Sequence, residues 1–143
     1  MKRKEIGWFM VDSADPERIP AGPWLEFHGD RCLLPARAEV LARNEVAVQA
    51  FRIGRHLAVQ FHPEVDGPQL KRWLDSMGTR QARSVGVDPD QFLADTIREE
   101  PAARARADRL KDAVDLDAAR DDLTQTVHEA LEPAHLSVWI NPR

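Results

Sequence analysis

The amino-acid sequence predicts an α/β fold in which a sheet with a β-hairpin comes first, and helices and a short terminal strand follow. Two patterns support this prediction. Residues 6–61 contain short apolar runs broken by Pro, Gly and Asp, which is typical of strands joined by turns. After residue 65, apolar residues recur at spacings of three and four, which is typical of helices with one buried face.

Five strands are expected in the first half of the chain, at residues 6–11, 24–28, 40–43, 47–53 and 56–62. Residues 52–55, Arg-Ile-Gly-Arg, are expected to form the turn of a hairpin between the last two strands. The fifth strand is an almost continuous apolar run, which indicates a strand covered on both faces. We therefore expect this strand to be internal to a mixed sheet that helices flank.

The first helix is expected over residues 68–77, with one buried face formed by Leu70, Trp73, Leu74 and Met77. A second helix is expected to begin at Asp88, because a capping Asp followed by Pro89 is a common helix start. Its apolar stripe would be Phe92, Leu93 and Ile97.

Pro101 is expected to end or interrupt that second helix. Residues 102–111 favour helix by composition, and residues 117–131 have a further apolar face. Residues 136–140 alternate like a short strand. The Arg-rich stretch at residues 98–109 is interpreted as a solvated helix face because acidic residues dilute its charge.

Composition limits the chain to one modest domain, since 143 residues with 43% apolar side chains can build a single core. The net charge of −4 gives no electrostatic reason to expect nucleic acid or an anionic membrane as a partner. No run approaches the roughly 20 apolar residues that cross a bilayer. The basic start of the chain precedes no apolar targeting segment. We therefore expect a cytoplasmic protein.

Cys32 is the single cysteine of the sequence, so the chain has no internal disulfide and no multi-cysteine metal site. Its side chain is interpreted as small and buried. His28 and Asp30 could in principle bind a metal ion, but no further ligands stand at suitable spacing, so a structural or pocket-shaping function is favoured. No metal and no cofactor is expected. Packing is the interpretation for the tryptophans at positions 8, 24, 73 and 139, and the histidines at positions 56, 128 and 135 are isolated.

The motif Gln-Phe-His-Pro-Glu at residues 60–64 closes the strand with the clearest pattern. Ligands gather beyond the carboxyl ends of strands in open α/β sheets. There His62 could act in acyl transfer as a general base, with Glu64 holding its tautomer. The alternative is that His62 is an ordinary capping or surface residue.

The residues around this motif resemble class I glutamine amidotransferases, in particular the GMP-synthase-like amidotransferase domain. The similar segments are residues 49–52, Gln-Ala-Phe-Arg, and residues 58–65, which contain the His-Pro-Glu sequence. Residues 5–8 and residues 24–30 also match, and the latter resembles the His-x-Asp segment beside the glutamine pocket. The resemblance implies that His62 and Glu64 complete a Cys-His-Glu triad, that His28 and Asp30 belong to the substrate pocket, and that the sheet is a partial flavodoxin-like amidotransferase sheet.

The departure from the family concerns the nucleophile, because the family's cysteine sits in a Gly-flanked elbow that would precede all of these motifs. Cys32 is in a turn entering a strand and does not fit such an elbow. We therefore expect residues 1–110 to be a truncated amidotransferase domain, its C-terminal half, which does not hydrolyse glutamine alone. The partners implied are glutamine in the intact family, an N-terminal half, a synthase subunit or a second copy. The alternative is a non-catalytic binding or interaction module.

Residues 111–143 depart from the amidotransferase pattern and are expected to form a helical tail with a terminal strand. They resemble the C-terminal tail of actinobacterial multi-pass membrane sensor proteins. Together with the missing elbow, this tail suggests a truncated or fused reading frame. The sheet of such a chain would expose apolar strand surface that favours pairing or aggregation.

Overall fold

The computed structural model describes residues 4–114. Five strands come first, namely β1 (Glu5–Ser13), β2 (Gly22–His28), β3 (Glu39–Arg43), β4 (Val48–Ile53) and β5 (His56–Val59). Helices α1 (Gly67–Trp73), α2 (Thr79–Ser84) and α3 (Pro89–Asp112) follow, and a π turn (Leu74–Gly78) joins α1 to α2. The α/β class and the five predicted strands are confirmed. The helix expected at 117–131 and the strand expected at 136–140 lie outside the described residues.

The strands form one sheet in the order β2-β1-β3-β4-β5, and every pairing among the described residues is antiparallel. The parallel pairing that a mixed sheet requires is not found in this part of the chain. β1 pairs with β2 through its first seven residues, Glu5 to Val11, and with β3 through Asp12 and Ser13. Because one strand serves two partners along its length, the sheet curls.

The prediction that the fifth strand is internal is wrong for the described sheet, since β5 pairs only with β4 there and ends at Val59. The chain then crosses towards the opposite edge, where the His62 N–H donates to the Leu25 carbonyl at 2.9 Å. The apolar run at residues 57–61 is therefore covered by the curl of the sheet and not by strands on either side. Phe61 stacks on Trp24 inside this curl, with ring centroids 4.3 Å apart.

The hairpin between β4 and β5 is confirmed. Ile53 pairs with His56, which leaves Gly54 and Arg55 as a two-residue turn. Gly54 has a φ of 58°, in the left-handed region that such turns require and that glycine adopts without strain.

Both faces of the sheet are packed. Trp24 and Leu25 are consecutive in β2 and point to opposite faces. The Trp24 face belongs to one core cluster, formed by Val11, Ile19, Trp24, Leu41, Ala42, Ala50, Phe61 and Leu110. The Leu25 face packs against the helices through a second cluster, formed by Ile6, Leu25, Val65, Leu70, Leu74, Ala82 and Phe92. The site described below therefore lies on a scaffold that is held from two sides.

The first predicted helix is confirmed only in part. Leu70 and Leu74 are buried, but Met77 is 70% exposed, so the prediction that Met77 shares the buried face is wrong. The reason is the π turn, whose wider helical repeat rotates the following residues relative to the α-helical pattern. Gly78 permits this turn, because a Cβ atom there would lie 2.7 Å from the Trp73 carbonyl oxygen.

The start of α3 is confirmed, since the Asp88 carboxylate accepts a hydrogen bond from the Gln91 N–H at 2.8 Å. The prediction that Pro101 ends or interrupts this helix is wrong, because α3 continues through it to Asp112. Buried residues on both sides of the proline, including Phe92 and Leu110, hold the helix to the core and compensate for its missing N–H.

The polar and apolar faces of α3 also differ from the predicted ones. Ile97 is 59% exposed, whereas the neighbouring Thr96 is buried and accepts a hydrogen bond from the Trp8 indole N–H at 3.0 Å. The interpretation of residues 98–109 as a solvated face is wrong for Arg106. Its guanidinium carbon lies 5.5 Å from the centre of the Trp24 ring, and its side chain is only 12% exposed.

Candidate functional site

His62 follows the crossing from β5 towards β2, and its backbone and ring are both held. Its N–H donates to the Leu25 carbonyl at 2.9 Å. Its ring meets the Trp73 ring edge-on, with centroids 4.9 Å apart and an angle of 74° between the planes. The side chain keeps partial contact with solvent. The ring is therefore oriented by packing while an approaching group can still reach it.

Glu64 lies beside His62, and the distance from its Oε1 to the His62 Nδ1 is 3.0 Å. The chain then enters α1, where the Asp66 carboxylate caps the helix by accepting from the Gln69 N–H at 2.7 Å. Because the Glu64 carboxylate accepts a hydrogen bond from the Nδ1–H, Nε2 is the nitrogen that could take a proton from a nucleophile. The structure brings the two predicted residues together in this geometry, and their catalytic function stays a prediction.

His28 ends β2, and both of its ring nitrogens have partners. Nδ1 lies 3.1 Å from the Asp30 backbone carbonyl, and Nε2 lies 2.8 Å from the Glu26 Oε2. His28 and Asp30 are therefore adjacent through the backbone of Asp30, and the His28 ring is not arranged to share a metal ion with the Asp30 carboxylate. Within residues 4–114, no group of three His, Cys, Asp or Glu side chains is placed to bind a metal ion.

Two buried carboxylates surround His28, and the sequence analysis missed both. Glu26 and Glu5 are 0% and 1% exposed, and the Glu5 Oε2 lies 3.9 Å from the His28 Nε2. Gln49 donates to Glu5 at 3.3 Å, and Asn44 donates to the same carboxylate. We call Glu5, Glu26 and His28 the Glu–His cluster.

The alternation of side chains along β2 could have indicated one member of the Glu–His cluster, Glu26. Positions 24, 26 and 28 share one strand face, and Trp24 marks that face as buried. The alternation therefore favours burial of Glu26, although His28 on the same face is only half-buried. Its partner Glu5 could not be found in this way, because only the register of β1 against β2 places Glu5 opposite His28.

The charges of the Glu–His cluster alter its ionisation. Burial lowers the pKa of the His28 imidazole, but the hydrogen bond and charge of Glu26 and the charge of Glu5 raise it more, so the net shift is upward. Burial raises the pKa of the Glu26 carboxyl, and the hydrogen bond to His28 offsets only part of this effect. Both shifts mean that the pair retains its protons to higher pH than the same groups in water.

Gln60 joins the two parts of the site. Its side-chain Nε2 donates to the Asp30 carbonyl at 2.7 Å, two residues before His62. The loop that follows β2 is thereby tied to the segment that carries His62 and Glu64. The four residues predicted for the site consequently lie in one region of the fold, although no pattern in the sequence indicated the contact between Gln60 and Asp30.

Cys32 lies in the irregular stretch between β2 and β3 and is exposed, so its interpretation as a buried side chain is wrong. The neighbouring Leu33 is 96% exposed. Because this stretch does not form part of a strand-to-helix elbow, Cys32 has no backbone arrangement that would activate it as a nucleophile.

A separate surface cavity of about 500 Å³ lies between the β1–β2 hairpin and the first turns of α3. Trp8, Pro23, Asp95 and Arg98 are among its lining residues, and neither His62 nor Glu64 is. Asp95 accepts hydrogen bonds from Gln91 and Arg98, so this cavity presents charges that are already paired.

None of the helices in residues 4–114 has both the length and the apolar content to cross a membrane.

Solved structures resemble this chain. A glutamine amidotransferase from Thermotoga maritima is 28% identical with a TM-score of 0.67, and the match covers 76% of this chain and 50% of that one. A glutamine amidotransferase from Methylobacillus flagellatus is 18% identical with a TM-score of 0.63, over 75% of this chain and 50% of that one. No protein-family model and no curated protein matches the chain.

The chain spans about half the length of these two structures. The predicted partial-domain match is consistent with that coverage, whereas nothing in these similarities supports the suggested relation of the tail to membrane sensor proteins. The division into residues 1–110 and 111–143 also stays a prediction. The described part of the chain has a glutamine amidotransferase-like fold.

Proposed function

We propose that this chain carries the His–Glu part of a glutamine amidotransferase active site, with His62 as general base and Glu64 as its orienting carboxylate. The observation that carries the proposal is the 3.0 Å contact between the His62 Nδ1 and the Glu64 Oε1 on an amidotransferase-like scaffold. Local sequence alone brings two such residues near each other, but it does not decide which ring nitrogen meets the carboxylate. Contact through Nδ1 is the arrangement in which Nε2 can act as the base.

In the proposed reaction, the His62 Nε2 takes the proton of a cysteine thiol while the thiolate sulfur attacks the glutamine side-chain amide. The imidazolium then gives that proton to the leaving ammonia, and water hydrolyses the resulting thioester to glutamate. Glu64 stabilises the imidazolium throughout and does not itself transfer the proton. His28 and Asp30 are proposed to border the bound glutamine.

The 143-residue chain is proposed to lack this activity when it is alone. Its single cysteine, Cys32, is exposed in an irregular loop and has no elbow to supply oxyanion-binding N–H groups. We propose that the activity needs a second polypeptide segment that carries the nucleophile. We also propose that a synthase subunit uses the released ammonia and that the protein acts in the cytoplasm.

The test is release of ammonia and glutamate from glutamine. The purified chain is assayed alone and with the separately expressed N-terminal half of the Thermotoga maritima amidotransferase. We expect no release by the chain alone and measurable release by the mixture. His62→Ala should abolish release by the mixture, whereas His56→Ala, a change at an exposed histidine in the β4–β5 hairpin, should not.

Two results would refute the proposal. Release by the chain alone that Cys32→Ala abolishes would mean that Cys32 attacks the amide in this loop. Equal release by the mixture with and without His62→Ala would mean that His62 is not the base. Tight association of the two halves without any release would favour the alternative of a non-catalytic interaction module.

A further inference from the structure

The backbone carbonyl of Asp30 receives two side-chain hydrogen bonds, one from His28 at the end of β2 and one from Gln60 just after β5. The His28 Nδ1 lies 3.1 Å away and the Gln60 Nε2 lies 2.7 Å away. A carbonyl oxygen can only accept, so the His28 Nδ1 has to carry a proton. The tautomer of His28 is thereby determined by geometry.

The other nitrogen of His28 faces a buried carboxyl group. The distance from Nε2 to the Glu26 Oε2 is 2.8 Å, and the second oxygen of Glu26 is buried without a hydrogen-bond partner among the described residues. Glu26 therefore depends on His28 for its compensation inside the fold. Leaving a buried carboxylate unpaired is costly, so this contact holds the ring strongly.

We propose that His28 is a positioning residue: Glu26 holds its ring so that Nδ1, together with Gln60, fixes the Asp30 carbonyl and the loop of residues 29–38 against the segment that carries His62. The structural part of this inference stands by itself. Its functional part, that the fixed loop borders glutamine beside His62, rests on the proposed function. The amide nitrogen of Gln60 and the imidazole of His28 donate to the same oxygen atom, so the loss of either donor removes one of its two hydrogen bonds.

The charged groups that face the pair come from three elements. Glu26 and His28 belong to β2, Glu5 to β1, and His62 to the segment after β5. Burial is the main cause of the raised pKa of Glu26; the charge of Glu5 adds to it and the charge of His62 opposes it. Glu5 itself is bound by Asn44 and Gln49. The ring of His28 is thus surrounded by acceptors on one side and held by the Asp30 carbonyl on the other.

Two substitutions at position 28 separate the two hydrogen bonds of the ring. The side-chain amide nitrogen of asparagine stands where Nδ1 stands in histidine, whereas that of glutamine extends to the position of Nε2. His28→Asn therefore retains a donor for the Asp30 carbonyl, and His28→Gln loses it. His56→Gln is the matched control at an exposed histidine.

The loop can be observed through Cys32, because it is the single cysteine and is exposed. A nitroxide label on Cys32 reports the mobility of the loop by electron paramagnetic resonance. We expect His28→Gln and Gln60→Leu to shorten the rotational correlation time of the label. His28→Asn, which keeps the donor to the Asp30 carbonyl but not the Glu26 contact, should shorten it less than His28→Gln does, and His56→Gln should leave it near the value of the unsubstituted chain. Unchanged mobility in both His28→Gln and Gln60→Leu would overturn the inference.

A second measurement uses the unsubstituted chain, so its main result does not depend on how a variant folds. Nitrogen-15 spectra of the histidine rings in the unsubstituted chain report which nitrogen of His28 carries the proton. We expect a protonated Nδ1 throughout the pH titration and a lower pKa of His28 in Glu26→Gln. A neutral ring protonated at Nε2 alone would overturn the inference. Neither measurement uses glutamine, so their outcome is independent of the amide-hydrolysis test.

Discussion

Gly78→Ala tests whether close packing at the π turn outweighs helix propensity. Gly78 has ordinary helical dihedral angles, φ −65° and ψ −37°, so alanine meets no backbone strain there. By propensity alone, alanine should stabilise a helix by about 1 kcal/mol relative to glycine. The structure predicts the opposite sign, because the added Cβ would lie 2.7 Å from the Trp73 carbonyl oxygen and 3.2 Å from the Phe27 ring.

The carbonyl oxygen cannot move without opening the π turn. Overpacking of this kind costs about 1–3 kcal/mol, and the gain in propensity offsets about 1 kcal/mol of it. Because the nearest atom belongs to the backbone and not to a flexible side chain, we expect the upper part of that range, about 2–3 kcal/mol, and therefore a net loss of about 1–2 kcal/mol in the free energy of unfolding. The Trp73 ring that packs on His62 should shift with it, which nuclear magnetic resonance of the His62 ring would detect.

The assay is urea denaturation followed by circular dichroism, with Met77→Ala as the control. Met77 lies in the same turn and is 70% exposed, so its replacement should change the free energy of unfolding by less than about 0.5 kcal/mol. A Gly78→Ala chain as stable as the unsubstituted one, or more stable, would refute the steric reasoning. It would also indicate that the π turn is not needed to place Trp73.

The remaining predictions concern single contacts. Thr96→Val keeps the shape of the side chain but removes the acceptor of the half-buried Trp8 indole N–H, so it should lower the free energy of unfolding by about 1–2 kcal/mol. Thr96→Ser keeps the hydroxyl and should cost about 1 kcal/mol through the lost methyl group. Asp88→Ala removes the cap of α3 and should cost about 1 kcal/mol in urea denaturation, with Asp88→Ser close to neutral; equal losses in the two variants would argue against capping. Burial lowers the pKa of His28, but Glu26 raises it more, so the pKa in the fold lies above the ordinary histidine value of 6.5. The protonated ring therefore stabilises the fold fully below pH 6.5, and this contribution is lost as the pH rises through the raised pKa. The urea midpoint should therefore be higher at about pH 6 than at about pH 9, and the difference should shrink in Glu26→Gln; equal shrinkage in His56→Gln would contradict the assignment to His28.

The comparison of urea midpoints should not extend below about pH 6, because two aspartates affect the stability at lower pH. The pKa values of Asp15 and Asp95 are lowered by hydrogen bonds, chiefly from Arg18 and from Gln91. Their contribution to stability is present above their ordinary value of 3.8 and is lost as the pH falls through the lowered values. Measurements kept at about pH 6 and above therefore do not include this opposing effect.

Local patterns in the sequence determined the parts of the fold that depend on neighbouring residues. The five strands, the Gly54 turn and the Asp88 cap each follow from residues within one element or one turn. The contact of His62 with Glu64 belongs to the same class, since the two residues are only two positions apart. The resemblance to amidotransferases was carried by the same short segments.

The tertiary structure alone decided which distant residues meet. Glu5 reaches His28 and Gln49 through strand register and the curl of the sheet, across separations of 23 and 44 residues. The π turn rotates Met77 into solvent, and packing on both sides of Pro101 carries α3 through a residue that disfavours helix. Periodicity describes one element at a time. Three features depend instead on how several elements pack together: the burial of a carboxylate, the width of a helical turn and the edge position of a strand. The free energy of that packing cannot be read from one segment of the sequence.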